Sequence, residues 1–325
     1  MAVKRKASRH ESKDSKISLI AEIRLTPISS GKDLPILHNL QLNKMIMKRF
    51  VRHFKVDISL VAKLRKETEC TITKARQALE TTKNAYIPAV EWLHKDSAVS
   101  GKLKAQKLEQ RSTLEGLIGV HVDSESKRFA MIELQSETDF VAKSAPFTQL
   151  AVRIARIAAE HNDSAVKSGS ILPIDTAALQ KGSGAHNGVS IQDDINATIG
   201  KLGEKINLCR AVAVSANRGS FKHVGCHAHA AGQSLPPNLG RIGAIVTLAT
   251  PQALDSASES LVSNLAAKLA KHVCGFNPPS VAELLEQPFI YGGGSVRDNL
   301  SRTSKELNIQ VDMADFIRWE IGSSN

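Results

Sequence analysis

The spacing of apolar positions changes period along the chain, and each change marks a new kind of element. From Ile58 to Lys95 it is helical. Leu60, Val61 and Leu64 share one face, Ala75, Ala78 and Leu79 another, and Val90 and Leu93 follow. Pro88 suits the first turn of a third helix, where its missing N–H costs nothing. The pattern predicts a small three-helix module over 56–98, then a charged, partly helical linker over 99–111. The period next shortens. "TLEGLIGVHVD" and "RFAMIELQSE" read as strands, with the turn "SESK" between them, and so as an antiparallel hairpin. Helical spacing returns at Phe147, Leu150, Ala151, Ile154 and Ala158, with Ser144 as the cap. Residues 163–190 read as loop.

A helix around "DDINATIGKLGE" leads into the strand "INLCRAVAVSA". "FKHVGCHAHA" and "RIGAIVTLA" are further strands, divided by "GQSLPPNLG". Leu254, Ala257, Leu261, Leu265 and Leu269 mark a long amphipathic helix, "SVRDNLSRTSKEL" is helical, and "ADFIRWEIG" is extended. A strand–helix arrangement occurs at 112–162 and again at 205–273. The predicted fold is therefore α+β: the three-helix module, then a core of two related α+β halves with antiparallel sheets, 112–190 and 191–325.

Composition narrows the classes. The 325 residues suit about two domains, and no apolar run is long enough for a membrane-spanning helix. Cys70, Cys209, Cys226 and Cys274 form no C-x-x-C pair and read as reduced thiols. The net charge of +11 is uneven. Residues 1–55 hold 13 Lys and Arg against 4 Asp and Glu, while the other 270 hold 30 against 28. Basicity thus belongs to the N-terminal segment, which weakens a nucleic-acid footprint over the folded body. Within that segment "MIMKRFVRHFKV" (Met45 to Val56) carries four bases and no acid, interleaved with Ile46, Phe50, Val51 and Phe54. On a helix this is a basic amphipathic ribbon, the character of an organelle transit peptide. Glu11, Asp14, Glu22 and Asp33 fit a presequence poorly, and a start at Met45 or Met47 would remove them. The alternative is a disordered basic tail.

Candidate chemistry is sparse. In "HVGCHAH" a strand would place His223, His227 and His229 on one face and Cys226 on the other. Three such histidines can bind zinc, but a polar strand face is the plainer reading, and no metal is expected. "YGGGSVRD" lacks the frame of a phosphate-binding loop and reads as a turn before a helix. No catalytic signature appears. The remaining oddity is "SETDFVAK", Ser136 to Lys143, which sets Asp139 beside Phe140 at a strand-to-helix corner in a chain only 4% aromatic. Phe140 either folds back into its own core or projects as an anchor into a partner.

At these residues the chain resembles the elongation factor Ts family, the nucleotide exchange factors for elongation factor Tu. "SLVAKLRKETECTITKARQALE" is similar to the family's N-terminal module of ubiquitin-associated type. "ETDFVAK" resembles its most specific signature, and "LGEKINLCRAV", "GCHAH", "RIGAIVTLA", "QPFI" and "DFIRWEIG" resemble later motifs, in order. Almost nothing stands where bacterial members carry a coiled-coil arm before the Q-P-F motif, and the chain stops before their C-terminal helical module. Both features resemble the mitochondrial branch. The family's G-A-G-M turn is "ECTI" here, and His227 stands where a Tyr is usual.

The resemblance implies a guanine-nucleotide exchange factor of the mitochondrial matrix. Such a factor would not be an enzyme and would need no cofactor; its expected partner is a mitochondrial elongation factor Tu, with no nucleic acid and no membrane. It implies that Thr138, Asp139, Phe140 and Val141 meet the partner's GTPase domain, with Phe140 in an apolar slot. Arg65 and Ile72 would touch the same domain, and Leu202, Gly203 and His229 other partner surfaces. Two rival readings use less of the chain: a ubiquitin-binding adaptor built on the first module, and an RNA- or ribosome-associated protein using the basic N-terminus. Neither explains "TDFVAK".

Overall fold

The computed structural model describes residues 55–68, 70–161, 170–182, 189–216, 221–230 and 235–323. The expectations for the basic segment 1–55 fall, apart from Lys55, outside the described residues. Contacts gather the chain from Val56 onward into one unit.

Three helices open that unit: α1 (Ile58–Thr68), α2 (Ile72–Thr81) and α3 (Tyr86–Leu108). The Thr71 hydroxyl caps α2 by accepting from the Lys74 amide. Leu64, Ala75, Ala78, Leu79 and Leu93 close a small core among the three. α3 is longer than the expected helix, running unbroken through the charged stretch to Leu108. Gly101 marks a contact within it and not a break. A Cβ there would stand 1.9 Å from the Asn196 carbonyl oxygen, so glycine lets α3 lie directly on the helix over Ile191–Leu202.

The hairpin forms as expected from β1 (Glu115–Asp123) and β2 (Arg128–Ser136). A single helical turn, α4 (Asp139–Ala142), precedes α5 (Ala145–Glu160). The stretch read as loop contains two elements, β3 (Leu172–Ile174) and α6 (Thr176–Lys181). A three-residue strand containing Pro173 and a six-residue helix are too short to show a period. β3 exists because it pairs with the edge of β4 (Ile206–Ser215), and α6 because Asp175 caps it. With α7 (Ile191–Leu202) they complete the first layer pair.

The remaining elements are β5 (Lys222–His229), β6 (Leu239–Gly240), β7 (Ile242–Ala249), α8 (Ser256–Phe276), α9 (Val281–Glu286), α10 (Val296–Leu307) and β8 (Asp312–Glu320). The five-stranded sheet has the order β3-β4-β2-β1-β6, and the three-stranded sheet β5-β7-β8. The repeat in the sequence pointed to a division at 190/191. Instead α7 and β4 belong with the first sheet, because β4 pairs with β2 along its length. α8 begins at Ser256, capped by Asp255. Val262, Leu265, Ala266, Leu269 and Val273 form its buried stripe, and Leu254 packs on from outside the helix.

The two sheets stack face to face, with helices on both outer sides. In the first sheet Ala130, Ile132 and Leu134 face α5 and α7, whereas Phe129, Met131 and Ile118 face Val224, Ile245 and Trp319 of the second. Both faces are buried, so β1 and β2 carry near-continuous apolar runs. In β4 the inward positions switch parity. Ile206 and Leu208 face the helices, and beyond a bulge at Cys209 it is Ala211 and Ala213 that do so. The bulge sets Arg210 opposite buried Glu133, 2.6 Å away, with the Trp319 ring 4.5 Å from the guanidinium.

β5 meets α8 through Gly225, where an added Cβ would lie 2.1 Å from the Ala266 carbonyl carbon. Because the obstacle is backbone, Gly225→Ala must push strand and helix apart. We expect a loss of about 1–3 kcal/mol, read from the denaturant midpoint.

Candidate partner-binding site

β2 ends at Ser136, opposite Ile206 at the start of β4. Beyond this pair the backbones diverge and two carboxylates take over as acceptors. Glu137 Oε1 accepts from the Lys205 amide at 2.7 Å, and Glu204 Oε2 accepts from the Thr138 amide at 3.1 Å. Arg111 adds an ion pair to Glu137 at 3.1 Å. Burial raises the Glu137 carboxyl, but the Lys205 amide and Arg111 outweigh it and hold the group below the usual carboxylate range. Lys205 Nζ donates to the carbonyls of Glu109 and Arg111, each at 2.8 Å, which ties the end of α3 to the same corner.

On this clasp stands α4. Thr138 is its cap, accepting from the Val141 amide at 3.3 Å, while Ser136 Oγ donates to the Thr138 carbonyl at 2.9 Å. Val141 and Ala142 point down and are buried in the first core. Phe140 points the other way and is 82% exposed. The two readings left open by the sequence are thereby separated: Phe140 is not a core residue. Asp139 pairs with Lys143 at 2.7 Å, and that bond holds its carboxyl below the usual range.

The other candidates are distributed. Leu202 ends α7 and packs partly on the first core. Gly203 follows in the left-handed conformation, φ +79°, and the next residue, Glu204, reaches Thr138 of the turn. Arg65 and Ile72 are exposed on α1 and at the start of α2, and His229 is exposed at the end of β5 in the second sheet. Glu137, Glu204, Lys205 and Arg111 were not singled out from the sequence. Their signal was present in "SETDF" and "LGEKIN", each a carboxylate flanking a strand end, but only the β2–β4 register shows that the two meet.

The histidines of β5 have separate surroundings. The Thr250 hydroxyl donates to the Gln252 carbonyl at 2.8 Å, so buried His223 Nε2 is the donor in its 3.3 Å bond to that hydroxyl. His227 is half-buried, and its ring centroid lies 6.4 Å from that of His229. Among the described residues no group of three or more His, Cys, Asp or Glu is disposed to hold a metal. The glycine-rich turn bends around α10: Gly293 O accepts from Asn299 Nδ2 at 3.1 Å and Arg302 Nη2 at 3.2 Å, and Ser295 and Asp298 close the helix start with a capping box. Burial pushes the thiols of Cys209 and Cys274 up to about 11 and about 12, which leaves them unreactive near neutral pH.

Fold and site together define a two-sheet α+β scaffold that displays a bare aromatic on a braced turn. A family model described as "Elongation factor TS" matches residues 137–284, which include both carboxylates of the clasp. "Elongation factor Ts, mitochondrial" of Salmo salar is 36% identical over 284 residues, covering 82% of this chain and 86% of the relative. Its namesake from Nematostella vectensis is 30% identical over 302 residues, covering 82% and 100%. That of Homo sapiens is 31% identical over 282 residues, covering 81% and 82%. The chain belongs to the elongation factor Ts family.

Two outcomes follow. Phe140→Ala should leave thermal unfolding nearly unchanged, where loss of a core Phe costs about 3–5 kcal/mol; calorimetry of the purified variant checks this. Burial, ahead of nearby charge, depresses the proton affinity of His223 and His227. The unfolded chain therefore takes up protons first as pH falls below about 6.5, and stability drops with it. Denaturant midpoints should fall between pH 7.5 and 5.5, and fall less in His223→Gln.

Proposed function

We propose that the chain is the guanine-nucleotide exchange factor for elongation factor Tu in mitochondrial translation, acting in the matrix, and that the Thr138–Val141 turn drives GDP release. The observation that carries this reading is Phe140, held out to solvent on a turn whose underside is buried. An apolar ring of this size leaves water favourably when a partner supplies a pocket. Asp139 exchanges its bond with Lys143 for one to the partner as the turn docks. Arg65 and Ile72, exposed on the opening helices, give a second contact with the GTPase domain through a module of ubiquitin-associated type. Leu202 and Gly203 meet the partner beside the turn, and His229 meets it from the second sheet.

The work done is linkage. Factor and GDP bind the GTPase with opposing preferences, so each weakens the other by one coupling free energy. The nucleotide-free partner is the state held best, and GTP displaces the factor. No bond is made or broken in this chain, so the role is not enzymatic in the chemical sense, and it needs neither cofactor nor nucleic acid.

The test is release of fluorescent GDP from a mitochondrial elongation factor Tu. Phe140→Ala should weaken binding by roughly 2 kcal/mol or more, about thirtyfold, and slow release. Asp139→Ala should act on the same step with a smaller loss, and the two should not add. A folded Phe140→Ala protein that still binds normally and speeds GDP release removes the turn from the mechanism.

A further inference from the structure

We propose that Glu204 is a positioning residue for exchange: through Thr138 it sets the turn that carries Phe140. The proposal rests on the reading of that turn given above. Thr138 Oγ1 lies 2.8 Å from Glu204 Oε1 and also accepts from the Val141 amide at 3.3 Å. A hydroxyl has one hydrogen, and a carboxylate only accepts. The Thr138 hydrogen therefore goes to Glu204, which leaves a lone pair for the Val141 N–H that closes the turn. The same carboxylate takes the Thr138 amide through Oε2. One side chain thus fixes both the peptide orientation and the hydroxyl rotor of the cap.

A four-residue turn cannot hold itself, since helix nucleation is unfavourable and the turn ends before propagation repays it. Burial of Val141 and Ala142 fixes its far side. Glu204 reaches its near side from a different segment, directly after Gly203 has turned the chain out of α7. The end of α7 and the Phe140 turn are therefore oriented by one residue.

The experiment measures maximal GDP release from a mitochondrial elongation factor Tu over a range of factor concentrations, with ¹⁹F NMR of 4-fluorophenylalanine placed at position 140 in the free protein. Glu204→Ala should keep its thermal midpoint within a few degrees, yet lose roughly tenfold or more in maximal rate, the worth of a charge-assisted pair of hydrogen bonds. Its fluorine signal should move toward that of the free amino acid. Glu204→Asp, one methylene shorter, should fail likewise despite keeping the charge. Thr138→Val combined with Glu204→Ala should be no worse than Glu204→Ala alone. If Glu204→Ala does not fold, Thr138→Val removes the hydroxyl link from the other side and is read by the same two signals. A folded Glu204→Ala protein with normal rate and unchanged fluorine signal, alongside a slow Phe140→Ala, overturns the positioning role alone. A normal rate in Phe140→Ala overturns the turn's role, and this proposal with it.

Discussion

The antiparallel register of β2 on β4 is the constraint on which the site depends. It brings Ser136 opposite Ile206, and so delivers two segments far apart in sequence to one corner. Where the ladder ends, each segment lends a carboxylate to the other's amide. The corner behaves as if the sheet continued for one more residue pair, made from side chains. This matters because α4 is too short to persist alone, and everything that presents Phe140 rests on that improvised extension.

The same register organises the buried charge. The bulge at Cys209 shifts β4 by one residue and turns Arg210 toward Glu133. Glu133 is almost wholly buried, and breaking such a pair costs more than the pair contributes, because the survivor is left uncompensated. Glu133 also accepts from Gln135 Nε2 at 2.7 Å and from the Gly322 amide at 3.3 Å. With the Trp319 ring against Arg210, this network fastens the last strand of the second sheet to the first. It specifies how the two sheets stack in a way that apolar contact, being non-directional, does not.

Much of the scaffold could be read from spacing. The hairpin, α5 and α8 announced themselves because each is long enough for its period to repeat. β3 and α6 did not, since they exist only by pairing and capping. The helical run across Gly101 was obscured because glycine ordinarily weakens a helix, and here its absent side chain makes room for a neighbour. The site was half legible. "TDFV" stood out as an aromatic beside an acid, but whether Phe140 faced in or out depended on which neighbours the corner buries. The clasp could not be read at all without the strand register, and the grouping of β4 with the first sheet was hidden for the same reason.

α3 carries a further consequence. At 23 residues it is about 35 Å of continuous helix, packed at one end in the opening cluster and at the other on α7 and the clasp. Arg65 and Ile72 are thus joined to the Phe140 corner by a strut and not by a tether. Two contact points on a flexible linker would dilute each other, since the second must search a volume set by the linker. On a strut that search is already complete. Under the proposed reading the effective concentration of the second contact would be fixed by geometry, and a partner whose two surfaces change their spacing would be gripped or released as a whole.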